Sequence, residues 1–321
     1  MYLRSTGAGQ VKRTPKKTVF IVNPEASRGS AGREWPTIQR LARDRLDPFH
    51  AYITTGPGDA TNFARSALQN GAEMVICVGG DGTLNEVING FMGDREAIRT
   101  ESILGFIPSG TGCDFIKTTR IPRDINGALD LIAGRRARPI DIGRIEYRDH
   151  QGRCSCKYFH NVTSFGLGGE VDERVNRTTK VFGGLISFLW ATLVSLIIYN
   201  KKRIHINVDN GESREVICWN IAVANGQYHG GGMWIAPEAR VDDGSFHVTV
   251  MGNLNLAEVF WHLPKLYNGR LLRVKKVCAL SGKRIEAYSE QKVLLDVDGE
   301  QPGQLPVVIE VIPGALRLIR P

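Results

Sequence analysis

Nine consecutive residues, Val78-Gly79-Gly80-Asp81-Gly82-Thr83-Leu84-Asn85-Glu86, combine three glycines, a hydroxyl and two acids. Glycine lets the main chain approach a ligand closely and take up positive φ. A carboxylate such as Asp81, set beside phosphates, serves a metal ion or a proton transfer. A second group of the same make-up follows at Pro108-Ser109-Gly110-Thr111-Gly112-Cys113-Asp114-Phe115. Backbone N–H groups at such turns bind phosphate without a cationic side chain. One Gly-rich turn is compatible with a tight turn and no ligand. Two, each with its own acid, point to a nucleotide. Asp242-Asp243-Gly244 and Asp298-Gly299-Glu300 are further acidic groups; alone, each reads as a turn.

These residues need elements to hold them. Glu73 to Val78 is an apolar run of strand length, and Leu84, Val87, Ile88 and Phe91 recur behind it at helical spacing. The first turn therefore joins a strand to a helix N-terminus. A strand over Ser102 to Ile107 leads into the second. Upstream, Thr18 to Val22 reads as a strand ending at Asn23-Pro24. Small residues follow, then a helix carrying Trp35, Ile38, Leu41 and Leu46, with Pro36 expected in its first turn. Ala51 to Thr54 reads as a second strand, and Asp59 as the cap of a helix over Ala60 to Gln69 closed by Asn70-Gly71. Asp124 to Gly134 is one more short helix. Strands alternating with helices give a parallel sheet covered on both faces, with ligands at the carboxyl ends of its strands.

From about Pro139 short strands dominate: Ile140 to Tyr147, Lys157 to Val162, Arg203 to Val208, Val216 to Ala224, Phe246 to Met251, Lys292 to Val297 and Val307 to Ile312. The expected organisation is a disordered basic tail (1–16), a nucleotide-binding α/β domain (17–138) and a largely antiparallel β-rich domain (139–305). A C-terminal strand (306–321) can return to the first domain.

Composition narrows the class. At 321 residues, 42% hydrophobic and 23% charged, the chain has the make-up of a soluble globular protein of about two domains. Its 41 basic and 33 acidic side chains give a net charge of +8, which suits phosphorylated ligands or an anionic membrane surface. Nucleic-acid binding would rest on that charge alone and is not expected. Six scattered cysteines without a CxxC pair indicate a reduced, cytoplasmic location. No apolar stretch follows the basic N-terminus, so no secretory signal is expected. Val181 to Asn200 carries no charge and ends in Lys201-Lys202-Arg203. It reads as a buried or membrane-facing helix, and hence as peripheral membrane contact, rather than as a span.

Taken together, the two Gly-rich groups resemble the catalytic domain of the diacylglycerol kinase family, which includes bacterial lipid kinases and the related sphingosine and ceramide kinases. Asn23-Pro24 with Ser27 and Gly29 resembles that family's opening nucleotide loop, and Thr54 with Gly58-Asp59-Ala60 a segment beside the nucleotide. Asn225 with Gly230-Gly231-Gly232-Met233, Ala236-Pro237, Ala239, Asp243-Gly244 and Asp298-Gly299-Glu300 are similar to its second-domain motifs. The resemblance runs from about residue 17 to 313. It implies a first domain like that of phosphofructokinase and NAD kinase, a β-sandwich holding a lipid, and ATP-dependent phosphorylation of a lipid hydroxyl.

By that resemblance Asn23, Thr54, Gly79, Gly80, Asp81, Gly82, Thr83, Asn85, Gly110, Thr111 and Asp114 contact ATP, and Asp81 belongs with Glu300 to the catalytic pair. Glu300 would be the general base. Asp243, with the carbonyls of Arg240 and Ser245, would bind a structural Mg²⁺. The chain departs from the family where Cys113 stands in place of asparagine, a weak donor replacing an amide. An NAD kinase-like enzyme, with Asp81 as base, is the alternative activity; a weakly active lipid- or nucleotide-binding regulator is the non-enzymatic one. A homodimer is compatible with the sequence.

Overall fold

The computed structural model describes residues 18–46, 48–110, 112–177 and 194–321. The basic tail, Thr111 and the Val181 to Asn200 segment as far as 193 lie outside the described residues. The first domain alternates β1 (Thr18–Val22), α1 (Ala26–Arg45), β2 (Phe49–Ile53), α2 (Asp59–Gln69), β3 (Met74–Gly79), α3 (Asp81–Phe91), β4 (Ile103–Pro108), α4 (Asp114–Thr119) and α5 (Ile125–Ala133). Its strands pair in parallel in the order β2-β1-β3-β4. The inner strands β1, β3 and β4 are apolar on both faces because both faces are covered. Ile21, Val75 and Cys77 pack with Ala64, Leu84 and Ile88 of α2 and α3. Phe20, Val22, Ile76 and Val78 pack with Ile38, Ala128 and Ile132 of α1 and α5. Each fully buried side chain of this size contributes about 1.5–3 kcal/mol.

The second half of the chain builds β5 (Ala137–Asp149), β6 (Cys154–Phe159), β7 (Val162–Gly166), α6 (Leu167–Arg177), β8 (Lys202–Val208), β9 (Arg214–Cys218), β10 (Asn220–Ala224), β11 (Tyr228–His229), β12 (Met233–Trp234) and β13 (Phe246–Met251). It ends with α7 (Leu256–His262), β14 (Val277–Gly282), β15 (Arg284–Tyr288), β16 (Leu295–Val297) and β17 (Gly303–Ile319). β17 joins the halves: Arg317 and Leu318 pair in parallel with β4, while its earlier residues pair antiparallel with β5 and β15. The ten-stranded sheet thus runs through both domains. A five-stranded antiparallel sheet, β14-β13-β10-β7-β16, faces its far half. Phe165, Ile221, Val248 and Leu295 meet Ile145, Phe159, Ile204 and Ile309 between the two layers. This is the antiparallel sandwich expected beside an α/β domain.

The structure corrects several local readings. Lys157 to Val162 is not one strand; β6 ends at Phe159 in one sheet and β7 begins at Val162 in the other. Val216 to Ala224 divides likewise at Trp219. Apolar residues continue across both breaks because each side faces the same sandwich core. Pro36 lies inside α1 rather than in its first turn, since the helix proper begins only after Ser27, Arg28 and Gly29, all left-handed (φ 52°, 58° and 80°). Asp59 is not a cap: Gly58 holds that position, and Asp59 accepts from Thr55 N, Thr55 Oγ1 and Gly56 N at 2.8–3.0 Å, closing the preceding loop.

Candidate active site

Both Gly-rich turns lie at carboxyl ends of neighbouring parallel strands, and they touch. A Cβ added at Gly110 would stand 2.7 Å from Gly80 Cα, so glycine is required for this approach. A Cβ at Gly79 would stand 2.6 Å from Thr83 Oγ1. Gly80 caps α3 without a side-chain hydrogen bond, which leaves the first-turn N–H groups for an anion. Around Gly82 an added Cβ meets nothing within 4 Å, so no protein contact explains the glycine there. Asn23 Nδ2 donates to Thr83 Oγ1 at 2.9 Å, and Asn23 N to Val78 O at 3.0 Å. The loop after β1 is thereby tied to the first turn. Thr54, buried at the end of β2, donates its N–H to Val22 O.

The acids of the site converge from both domains. Asp81 Oδ2 accepts from Asp114 N at 2.8 Å, while Oδ1 is buried without a hydrogen-bond partner. Burial raises the Asp81 carboxyl; the His160 ring and the Asp114 N–H oppose this, and the charges of Asp114 and Asp298 add to it. Asp114 pairs with Lys117 Nζ at 2.7 Å and accepts from Gly231 N at 2.7 Å, docking the Gly230–Gly232 loop onto the first domain. Cys113, left-handed at φ 47°, is buried behind it. Burial pushes its thiol up to about 11, with the Asp81 charge contributing, so it stays a neutral thiol.

Asp298 is the hub. It accepts from Asn85 Nδ2 at 2.8 Å and from the backbone N–H groups of His160, Asn161 and Val162 at 2.9–3.1 Å. His160 Nδ1 lies 2.7 Å away. Burial alone would raise this carboxyl, but the His160 ring and these hydrogen bonds hold it below the usual carboxylate range. Asn85 is itself buried, its amide also donating to Tyr158 O at 3.0 Å. Its side chain positions Asp298, just as Thr83 supports the β1 loop. Glu300, two residues beyond Asp298 and 49% exposed, is ion-paired with Lys157. His160 and Lys157 carried no signal in the sequence, because neither lies in a spacing pattern.

Next to this hub the sandwich holds a cavity of about 380 Å³. It lies against the outer face of the five-stranded sheet, under α6, α7 and the turns after α7. Leu167, Val171, Leu196, Ile235, Met251 and Leu263 are among its apolar walls.

The Arg240 to Ser245 loop suits a magnesium ion by donor chemistry. Asp243 is exposed and its Oδ1 accepts from Ser245 N at 3.1 Å, while Arg240 and Arg320 both turn to Asp242 instead. A hard carboxylate oxygen is the kind of donor Mg²⁺ takes. No group of three His, Cys, Asp or Glu side chains forms a metal cage among the described residues.

Two family models match the chain: the diacylglycerol kinase catalytic domain over residues 17–145, and the YegS C-terminal NAD kinase beta sandwich-like domain over residues 161–320. The diacylglycerol kinase of Staphylococcus carnosus (strain TM300) is 30% identical over 292 residues, 91% of this chain and 90% of that protein. A YegS-like lipid kinase of Xanthomonas campestris pv. campestris (strain 8004) is 31% identical over 310 residues, 96% of this chain and 97% of that protein. A crystal structure from Bacillus anthracis str. Sterne superposes with a TM-score of 0.75 at 25% identity, covering 97% of this chain and 99% of that one. The chain belongs to the diacylglycerol kinase family of lipid kinases. It is accordingly a phosphotransferase with an alcohol group as acceptor.

Proposed function

We propose that the protein transfers the γ-phosphoryl group of ATP to the hydroxyl of a diacylglycerol-like lipid, with Mg²⁺. The observation that carries this reading is the adjacency of two unlike sites: paired glycine turns fit for phosphates, and an apolar cavity fit for acyl chains. An NAD kinase would need a polar pocket for a second nucleotide, whereas the cavity walls are mostly apolar. Phosphoryl transfer asks mainly for positioning and charge neutralisation. The N–H groups of α3 hold the phosphates beside the second glycine turn, and Mg²⁺ would neutralise their developing charge. Asp81, with one carboxylate oxygen free of protein partners, faces that charge. Glu300 accepts the lipid's proton, and Lys157 fixes its orientation. Asp243, with the Arg240 and Ser245 carbonyls, would hold a structural Mg²⁺.

Catalysis takes place at a bilayer, which the protein visits from the cytoplasm. Phe260 and Tyr267 both line the cavity and reach the surface, beside Trp261 at 81% exposure. No helix among the described residues is long and apolar enough to cross a membrane. The test is a panel of lipid alcohols in mixed micelles, with NAD alongside, assayed with labelled ATP. Labelled phosphatidate from diacylglycerol, dependent on Mg²⁺ and lost in Asp81→Ala, is expected. Labelled NADP without any labelled lipid would overturn the reading.

A further inference from the structure

The cavity wall is broken by polar groups on its sheet side, where Ser164 of β7, Asn220 of β10 and His229 of β11 face it. Behind them Asp296 is fully buried. His229 Nε2 lies 2.8 Å from Asp296 Oδ2, and Ser164 Oγ donates to the same oxygen at 3.2 Å. Asp296 Oδ1 accepts from Gly299 N at 2.9 Å, and Asn220 Oδ1 accepts from Gly168 N at 3.1 Å. Position 168 must be glycine for this packing: an added Cβ would run into Ser164 Oγ and stand 3.4 Å from Asp296 Oδ2.

A carboxylate buried against an apolar cavity costs free energy that a leucine would not. Its placement gives the reason. β16 presents Asp296 to Ser164 and His229 in the cavity wall, and two residues later the chain presents Asp298 to Asn85 at the first glycine turn. Two strand steps are about 7 Å, so the cluster stands between the apolar cavity and the phosphate turns.

We propose that Ser164, His229 and Asp296 form the seat for the acceptor hydroxyl. This rests on the lipid kinase reading and names the part of the lipid the sandwich recognises. His229 contacts the hydroxyl and is the specificity-determining group; Asp296 and Ser164 are positioning residues that fix its ring. The ligand class is a neutral lipid alcohol with its chains in the apolar part of the cavity. A site built to hydrogen-bond a hydroxyl rejects the analogue that lacks it.

The experiment compares binding of 1,2-dioctanoyl-sn-glycerol and its 3-O-methyl ether to wild type, His229→Phe, His229→Gln and Asp296→Asn, together with KM values for lipid and ATP. Wild type should prefer the alcohol by about tenfold, the worth of one hydrogen bond to a charged or polarised group. His229→Phe should bind both alike and raise the lipid KM about tenfold with the ATP KM unchanged; His229→Gln should recover part of the preference. Should the Phe variant fail to fold, Asp296→Asn and His229→Gln keep the shape and carry the same comparison. A wild type without the alcohol preference, or a His229→Phe or Asp296→Asn variant that retains it in full, overturns the proposal, whatever the activity. A wild-type protein that prefers the alcohol yet phosphorylates no lipid upholds the seat and overturns the kinase reading instead.

Discussion

Two buried aspartates a short way apart respond to pH with opposite sign. Asp298 is held below the usual carboxylate range by the His160 ring and its hydrogen bonds, against the effect of burial. The stability it contributes is present above the ordinary carboxylate value of about 4 and is lost as pH falls through its lowered value. Asp81 is raised, chiefly by burial. Its contribution is present below the ordinary value and is lost as pH rises through the raised one. At pH 7 Asp81→Asn should therefore raise the melting temperature, within the 0.5–2 kcal/mol or so that relieving one unfavourable group gives, and should abolish transfer. Asp298→Asn should lower it, on the order of 2–4 kcal/mol, by weakening a buried network. Thermal melts at pH 4 and 7 check both; a destabilised Asp81→Asn at pH 7 would contradict the assignment.

Cys113 lies buried in the second glycine turn. It holds a left-handed backbone (φ 47°), which asparagine tolerates better than most residues. Its buried sulfur lies close to Gly110. An amide N–H is a stronger donor than a thiol, so Cys113→Asn should tighten ATP binding by about fivefold, the value of roughly 1 kcal/mol. Calorimetric titration of ATP reads this directly. Unchanged affinity would mark the position as tolerant, and lost binding would show a turn adapted to the thiol.

Among elements, the two strand–turn–helix units were legible because apolar periodicity and glycine spacing act locally. What was not legible lies where chain geometry is decided elsewhere. The breaks at His160-Asn161 and Trp219 hand the chain from one sheet to the other, yet both sides of each break are apolar. β17 runs through Pro306 and Pro313-Gly314, which read as stops; register shifts against β5 between Gln304 and Val308, and between Ile312 and Leu316, absorb them. The strands β14 and β15 were missed altogether. The His229–Asp296 pair joins residues 67 apart that share no spacing pattern.

The glycine turns allow a test that separates folding from ligand contact. Gly82→Ala puts a methyl into open space on a helix, where alanine is favoured over glycine by about 0.5–1 kcal/mol. It should melt higher and yet lose at least about tenfold in kcat/KM for ATP, because only the bound phosphates would meet the methyl. Gly110→Ala should lose both, since its methyl meets the Gly80 main chain. A fully active Gly82→Ala would remove that position from the nucleotide site.

For the whole molecule the question is how a lipid reaches the cavity. Lys201-Lys202-Arg203 looked like the docking face, but these side chains have local partners. Lys201 is hydrogen-bonded to Asn253, Lys202 lies over the Tyr199 ring at 5.6 Å, and Arg203 pairs with Glu215 at 2.6 Å. A better surface lies around α7. Leu256, Phe260, Trp261 and Tyr267 are exposed there, with Arg270, Arg273 and Lys275 on the turns that follow. Amphipathic aromatics and cations are what an anionic bilayer interface takes up, at about 1 kcal/mol per basic residue near its surface. Because Phe260 and Tyr267 also line the cavity, docking by this rim would open the cavity toward the lipid phase. Reversible binding to phosphatidylglycerol-containing vesicles is therefore expected, weakening as salt rises. Changing Leu256 and Trp261 to Ser should reduce co-sedimentation at least about tenfold and raise the apparent KM for bilayer-borne diacylglycerol, while turnover of micellar dioctanoylglycerol stays within about twofold. Alanine at Lys201, Lys202 and Arg203 should have the smaller effect. The reverse order would return the docking face to the start of β8.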